Sequence, residues 1–326
     1  MTLSRSTATA LWITGPGKAD LRDTGIGALA PGEVEVEAVW SGISRGTESL
    51  VFRGMVPESE HERMRCPFQE GGFPHPVKYG YAMVGRLRRG PPDRIGQWIF
   101  CLHPHQDRFA LPEEAAIAIP DTVPSERAVL AANMETALNI AWDAGFLPCD
   151  RIAVVGAGTV GLLTAWLAAQ IPGVEVTVVD IAPERADIAH RLGCAFALPD
   201  EAPQDCDVVV HASATSEGLA TALTACGFEA RLVEASWYGE RQVTLPLGGV
   251  FHSRRISLVS SQVGAVSPAR RARRSHADRM RQALGLLAAP ALDSLISGET
   301  PFSSLGEDYA RILADPATLC HRIRYS

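Results

Sequence analysis

The sequence predicts an α/β protein in which a mostly β domain precedes a doubly wound parallel sheet. In residues 1 to about 120, short predicted strands alternate with dense Gly and Pro turn signals. Residues 33–39 show the period-two alternation of a strand with one wet face and one buried face. From about Val123 onward, short apolar β-branched runs alternate with helical segments. That second pattern is typical of parallel strands covered on both faces by helices.

A G-x-G-x-x-G pattern stands where one buried strand turns into a helix. Residues 152–155 form the predicted strand, and Gly156, Gly158 and Gly161 follow it. The first glycine permits a tight turn, the second lets a pyrophosphate approach the backbone, and the third allows close packing of helix and strand. The N-terminus of the helix offers N–H groups and a positive dipole end to phosphates. This pattern predicts a Rossmann domain that binds a dinucleotide.

Asp180 ends the next predicted strand, residues 175–179. An acid at this place accepts hydrogen bonds from a ribose 2′-hydroxyl. Its charge would repel a 2′-phosphate, so Asp180 favours NAD over NADP. A glycine-rich turn in an ordinary α/β protein is the alternative, but strand, glycines, helix and terminal acid occur here in register.

Composition argues against several other classes of protein. The 326 residues are 46% hydrophobic and 21% charged, with a formal net charge of −7, as in ordinary soluble proteins. The acidic balance argues against general binding of nucleic acid or anionic membranes. The seven scattered cysteines predict free thiols in a reducing compartment. Since no signal-peptide pattern or apolar run of about 20 residues occurs, we expect a cytoplasmic protein.

The order of the parts resembles the medium-chain dehydrogenase/reductase family, in which a GroES-like β-barrel domain precedes a Rossmann domain. Residues 41–48 resemble the family's GICGTD segment, and residues 78–85 resemble its GHE…G segment. Residues 133–139 stand where the family has its hinge helix. The resemblance covers essentially the whole chain.

The expected domains follow from this resemblance and from the small size of the tail. A discontinuous GroES-like substrate domain comprises residues 1–122 and 265–326, and residues 123–264 form the Rossmann NAD-binding domain. The tail includes a predicted Arg-rich helix at residues 268–287. Its run from Arg270 to Arg274 is either a solvated helix start or a site for an anion. Family members usually pair through the Rossmann sheet edge, which implies a homodimer.

The resemblance also implies that this chain lacks zinc. Zinc-dependent members hold the catalytic metal with a Cys, a His and a second Cys. The corresponding positions here have Ser44 or Arg45, Tyr81, and Ala132 or Asn133, and the four-cysteine structural zinc lobe is missing. Serine, tyrosine and alanine do not form a zinc site. The segment around Ser44 is similar to the metal-free branch that contains bacteriochlorophyllide dehydrogenase.

A second possible metal site lies at residues 101–105. Cys101, His103 and His105 alternate along the chain, so on a strand they would face one side. Pro104 interrupts the segment, which favours a strand end with one buried Cys and two histidines in polar contacts. A metal site, or a His105 that contacts substrate, remain as alternatives.

Without zinc, hydroxyl groups must bind the substrate oxygen. Thr47 matches the family's proton-relay hydroxyl, and Tyr81 enters at the lost His position as a neutral donor. We count Thr47, Tyr81 and His105 as the catalytic candidates. The alternatives are that Thr47 only caps a turn and that Tyr81 only packs.

Further cofactor contacts are implied by the resemblance. Val160 would lie behind the nicotinamide and Thr136 at its edge. Arg185 would lie near the adenosine ribose, and Ser213 is also assigned to the cofactor site.

Together these features predict a zinc-independent, NAD(H)-dependent oxidoreductase that interconverts an alcohol and a carbonyl on a small molecule. An enone or quinone reductase is the alternative among enzymes. A low-turnover protein that senses NAD is the alternative of a different class. The sequence does not identify the substrate.

Overall fold

The computed structural model describes residues 6–325, and these residues form two compact units. The first contains the chain up to Ala132 together with the segment from Ile296 onward. The second is Asn133–Leu295. The first division falls inside a helix, and the second falls where a strand begins.

Strands and helices are numbered separately in chain order. The strands are β1 (Ser6–Gly15), β2 (Lys18–Ile26), β3 (Glu33–Ser44), β4 (Glu70–Gly71), β5 (Val77–Lys78), β6 (Met83–Arg89), β7 (Trp98–Cys101), β8 (Arg108–Pro112), β9 (Ile117–Ala118), β10 (Arg151–Val155), β11 (Glu175–Val179), β12 (Ala195–Ala197), β13 (Cys206–His211), β14 (Cys226–Glu234), β15 (Ser257–Ser260), β16 (Ile296–Pro301) and β17 (Cys320–Arg324). The helices are α1 (Arg45–Phe52), α2 (Ala131–Ala144), α3 (Thr159–Ala169), α4 (Ala186–Arg191), α5 (Ser216–Ala225), α6 (His276–Leu286) and α7 (Leu305–Ala314).

The first unit is built on two β-sheets of described residues. One has the strand order β2-β1-β5-β4, and the other has the order β16-β17-β3-β6-β7-β9, with β8 paired to β3. The predicted alternation in β3 is present, because Val34, Val36 and Ala38 are all buried. The returning strand β17 runs antiparallel to β3, with Cys320 opposite Ser44. This pairing fixes the end of β3, from which α1 begins.

The second unit contains a parallel sheet with the strand order β12-β11-β10-β13-β14-β15. Numbered from β10, this is the 3-2-1-4-5-6 order of a Rossmann domain. Ala153, Val154, Val209 and Leu232 are fully buried in its central strands, as expected for a sheet covered on both faces. The predicted doubly wound parallel sheet is therefore confirmed.

The unit boundaries differ from those predicted at 122 and 264. Residues 123–132 group with the first unit. Within that unit Val129 packs closely on Gly42, since a Cβ added to Gly42 would lie 3.0 Å from the Val129 carbonyl oxygen. Residues 265–295 group with the second unit, where Arg279 donates hydrogen bonds to Glu135 and Asn139 of α2.

The Arg-rich helix also starts later than predicted. Its N-cap is Ser275, which forms a capping box with Asp278. The predicted start at 268 is wrong, because the residues before this cap form turns. The exposed run from Arg270 to Arg274 therefore precedes the helix and does not oppose its dipole.

None of the helices within residues 6–325 has the length and apolar character needed to cross a membrane. All seven cysteines are unpaired, as their scattered positions predict, and six of them are buried.

Candidate functional site

The glycine turn after β10 has the geometry that a dinucleotide site needs. Gly156 adopts a φ of +113°, which other residues rarely adopt. Gly158 caps α3, and a Cβ there would meet no atom within 4 Å, so its backbone faces open space. A Cβ at Gly161 would lie 1.9 Å from the Gly156 carbonyl oxygen, so only glycine fits. The N-terminus of α3 is thus accessible to a phosphate group.

Asp180 connects this turn to the end of β11. Its Oδ2 accepts a hydrogen bond from the Ala157 N–H at 2.5 Å, and its Oδ1 accepts one from the Ala182 N–H at 3.0 Å. The carboxylate is partly exposed. Its position beside the glycine turn fits the predicted contact with an adenosine ribose.

The other predicted cofactor residues differ in their accessibility. Val160 is partly exposed in the first turn of α3, and Thr136 is partly exposed on α2. Ser213 is partly exposed just after β13. Arg185 is buried, with 7% of its surface exposed, so it is less available to a ligand than the resemblance implies.

A hydrogen-bonded cluster at the ends of β13 and β14 was missed at the sequence level, apart from Ser213. The His211 Nε2 lies 2.7 Å from the Ser213 Oγ, and the His211 Nδ1 lies 2.8 Å from the Glu234 Oε2. The Tyr238 hydroxyl donates to the same Glu234 oxygen at 2.9 Å. Burial opposes the charge of Glu234, but hydrogen bonds from His211 and Ser236 outweigh it and lower the pKa of Glu234. Polar residues at the carboxyl ends of two successive apolar strands were the available signal.

In the first unit, Thr47 lies in the first turn of α1, and Tyr81 lies just before β6. Both side chains are partly exposed. The hydroxyls of Ser44 and Thr47 hydrogen-bond to Tyr81. Burial and the charge of Glu48 nevertheless raise the pKa of Tyr81 above its usual value. The structure therefore brings together three neutral hydroxyl groups, two of which are catalytic candidates.

Glu48 is the centre of a buried network behind these hydroxyls. Its carboxylate accepts hydrogen bonds from the Ser44 N–H at 2.7 Å and the Tyr309 hydroxyl at 2.7 Å. The His105 Nε2 lies 3.1 Å from Glu48 Oε2, and its Nδ1 lies 2.8 Å from the Ser41 Oγ. Both Glu48 and His105 have 0% exposed surface. The proposed contact of His105 with substrate is thus not seen, because both ring nitrogens bond to buried neighbours.

Cys101, His103 and His105 do not converge. β7 ends at Cys101, and the His103 ring stacks on Phe109 with 3.7 Å between ring centroids. Burial lowers the pKa of His103 to about 3, and its Nδ1–H donates to the Pro104 carbonyl at 2.9 Å. Across residues 6–325, no group of three or more His, Cys, Asp or Glu side chains is arranged to hold a metal ion.

The chain is similar to known proteins in sequence and in fold. No family model matches the chain. The chain is 30% identical over 197 residues to the 2-desacetyl-2-hydroxyethyl bacteriochlorophyllide A dehydrogenase of Cereibacter sphaeroides, a match of 54% of this chain and 58% of that protein. The chain thus spans less than two thirds of the length of this relative.

Two solved structures share the fold over nearly the whole chain. One is a short chain alcohol dehydrogenase from Escherichia coli CFT073 in complex with NADH, with a TM-score of 0.78, 17% identity, and 98% and 99% of the two chains covered. The other is L-idonate 5-dehydrogenase from Escherichia coli K-12, with a TM-score of 0.81, 14% identity and the same coverage.

The chain thus has the fold of these two proteins, with a GroES-like domain and a Rossmann domain, as predicted. Together with the sequence match to a dehydrogenase, this agrees with the predicted resemblance to the medium-chain dehydrogenase/reductase family.

Proposed function

We propose that this protein is a nicotinamide-dependent oxidoreductase that interconverts an alcohol and a carbonyl, uses NAD(H), and does so without zinc. The observation that supports this most directly is the glycine turn closed by Asp180, in a chain that is similar to a dehydrogenase in sequence. The absence of cysteine and histidine at the family's zinc positions supports the metal-free form.

In this mechanism the nicotinamide supplies the hydride acceptor or donor. The N–H groups at the start of α3 would bind the pyrophosphate, and Asp180 would accept hydrogen bonds from the adenosine ribose. The hydroxyls of Thr47 and Tyr81 bind the substrate oxygen and stabilise the charge that develops there. Tyr81 stays protonated at neutral pH, so it acts as a donor. The Glu48 network holds the first turn of α1, and with it Thr47, in place.

Replacing Thr47 by Val or Tyr81 by Phe should lower turnover by about 10²- to 10³-fold each, since each change removes one hydrogen-bond donor from the substrate oxygen. NADH affinity, measured by fluorescence titration, should stay within about twofold. Thr7→Val, at an exposed position on β1, is the control. Unchanged turnover in both variants would remove these hydroxyls from the mechanism.

Asp180→Asn should raise the affinity for NADPH relative to NADH by about tenfold or more, because it removes the charge that repels a 2′-phosphate. The amide oxygen can still accept the Ala157 N–H bond, whereas the bond from the Ala182 N–H to the other oxygen is lost. Titration of both nucleotides measures the ratio, with Asp187→Asn, exposed on α4, as the control. An unchanged ratio in the Asp180 variant contradicts the assignment of NAD.

Metal analysis and substrate panels distinguish this proposal from its rivals. Stoichiometric zinc in the purified protein would contradict the metal-free mechanism. Turnover of enones or quinones, with none of alcohols, would favour the reductase. Tight NADH binding with no turnover of alcohols, aldehydes or enones would favour a sensor.

A further inference from the structure

Three side chains of the Rossmann unit are arranged as a nucleophile, a base and an orienting acid. The Ser213 Oγ lies 2.7 Å from the His211 Nε2. On the other side of the imidazole, the His211 Nδ1 lies 2.8 Å and 3.0 Å from the two oxygens of Glu234. A serine within hydrogen-bond reach of a histidine that is itself oriented by a carboxylate defines an acyl-transfer triad, whatever the fold. The oxidoreductase function proposed above counts Ser213 among the cofactor residues but gives no role to His211 or Glu234.

The hydrogen bonds that link Ser213, His211 and Glu234 have one consistent set of donors and acceptors. An ionised Glu234 can only accept, so the His211 Nδ1–H donates to it. The neutral His211 Nε2 is then an acceptor, and the Ser213 hydroxyl donates to it. The Thr215 Oγ1 accepts the Gly218 N–H at 3.0 Å and donates its own hydrogen to the Ser213 Oγ, also at 3.0 Å. His211 is therefore in the tautomer that takes a proton from the serine.

The triad stands at a strand-to-helix turn. β13 ends at His211, Ser213 follows in the turn, and α5 begins at Ser216. Ala214 has a φ of +55°, a left-handed conformation in a non-glycine residue. His211 is fully buried, whereas Ser213 is partly exposed. A nucleophilic serine needs a hydroxyl that a substrate can reach and a base that is shielded from water, and this pair has both.

Two glycines leave room around the serine. A Cβ at Gly218 would lie 2.1 Å from the Ser213 Oγ and 3.0 Å from the His211 Nε2, so any other residue would displace the pair. A Cβ at Gly156 would lie 2.7 Å from the Ser213 backbone nitrogen. Within residues 6–325 the Ser213 N–H has no hydrogen-bond acceptor. This N–H is a donor available to an oxyanion formed on the serine.

We propose that Ser213 is a nucleophile toward small carboxylic esters, with His211 as its general base and Glu234 as the residue that orients His211. The Ser213 Oγ forms a bond to the acyl carbon while its proton moves to the His211 Nε2. The alcohol or phenol leaves as the ester C–O bond breaks, taking up a proton. Water then attacks the acyl-serine while His211 accepts a proton from that water. The bond between the acyl carbon and the Ser213 Oγ breaks, His211 returns the proton to Oγ, and the carboxylic acid is released. No electrons are gained or lost, and water is the only co-reactant.

The test uses the full-length protein with p-nitrophenyl acetate and a fluorophosphonate reagent. Wild-type protein should release p-nitrophenolate above the background rate and carry the phosphonate adduct on Ser213, located by peptide mass spectrometry. Ser213→Ala and His211→Gln should each lower the ester rate at least about 100-fold. Ser216→Ala, on the first turn of α5 but outside the triad, is the control and should keep the wild-type rate.

Gly218→Ala provides a second test, because it leaves all three triad residues in place. Its methyl group would displace Ser213 from His211, so the ester rate should fall about as far as in Ser213→Ala, with an unchanged circular dichroism spectrum. Wild-type protein that carries no adduct on Ser213, or ester hydrolysis that survives in both Ser213→Ala and His211→Gln, overturns the proposal. Because neither assay uses a dinucleotide, the result is independent of the proposed oxidoreductase activity.

Discussion

Replacing Arg279 by Met should lower the free energy of unfolding by about 3–5 kcal/mol, as measured by urea denaturation. The Arg279 side chain is 1% exposed, and its Nε donates to the Glu135 Oε1 at 3.0 Å. Its other nitrogens donate to the Asn139 Oδ1 at 2.6 Å and to the carbonyls of Val263 and Ala265. Methionine has a similar shape but no donor, so the variant leaves the buried Glu135 carboxylate without its ion-pair partner and removes one donor each from the Asn139 Oδ1 and the carbonyls of Val263 and Ala265.

The loss of unfolding free energy in Arg279→Met should depend on pH. Burial raises the pKa of Glu135 even in the wild-type protein, and Arg279 acts against that shift. Without Arg279 the folded pKa rises further, so the folded state binds a proton that the unfolded state has lost. Stability of the variant should therefore fall as pH rises from the unfolded pKa through the folded one, and the deficit should be smaller at pH 5 than at pH 8.

Two further variants test whether the loss of stability comes from the buried Arg279–Glu135 pair or from any substitution on α6. Arg281→Met removes an arginine from the same helix, but the Arg281 side chain is 63% exposed and pairs with the exposed Asp278. This control should cost less than about 1 kcal/mol. Arg279→Met combined with Glu135→Gln should recover part of the loss and remove its pH dependence. An equal loss in Arg281→Met would show that the buried pair is not the cause.

Local patterns predicted the parts of the fold that depend on local geometry. The turn at Gly156 was predictable because Gly156 needs a positive φ and Gly161 lies against the Gly156 carbonyl, and both are local constraints. The start of α6 was missed although Ser275 and Asp278 have the spacing of a capping box, because the arginine run before them is also compatible with a helix. The assignment of residues 265–295 to the Rossmann unit was also out of reach, because it depends on the contacts of Arg279 with residues far away in the sequence.

In the candidate site, too, single residues were predictable from local sequence, but their contacts with distant residues were not. Thr47 was predicted by its position in a family pattern, Ser213 was assigned to the cofactor site, and both are partly exposed. The partners of Ser213 come from the ends of two adjacent parallel strands, and the sequence alone does not state that β13 and β14 are neighbours. His105 looked like a substrate contact because its sequence neighbours are loop-like. Its burial follows from the long-range contacts with Ser41 and Glu48.

Replacing Glu48 by Ala should lower the free energy of unfolding by about 3–5 kcal/mol, since it removes one acceptor from three buried donors. Those donors are the Ser44 N–H, the Tyr309 hydroxyl and the His105 Nε2–H, all within 3.1 Å of the carboxylate. Urea denaturation measures the loss. The control is Glu113→Ala, which removes a 39% exposed carboxylate paired with Arg94 and should cost less than about 1 kcal/mol.

Glu48→Gln should cost only about 1–2 kcal/mol, because the hydrogen-bond chain behind Glu48 can reverse its direction. The new amide nitrogen, in the place of Oε2, donates to the His105 Nε2, which becomes an acceptor when the ring proton moves to Nδ1. The second amide hydrogen is donated to the Tyr309 hydroxyl oxygen, which is a donor in the wild type. The Nδ1–H then donates to the Ser41 Oγ, and Ser41 donates to the Tyr325 hydroxyl 3.0 Å away. Nitrogen chemical shifts of His105 should report this change of tautomer between wild type and variant. If Glu48→Gln is as unstable as Glu48→Ala, or if the tautomer is unchanged, the chain does not reverse and the charge of Glu48 itself is what the network requires.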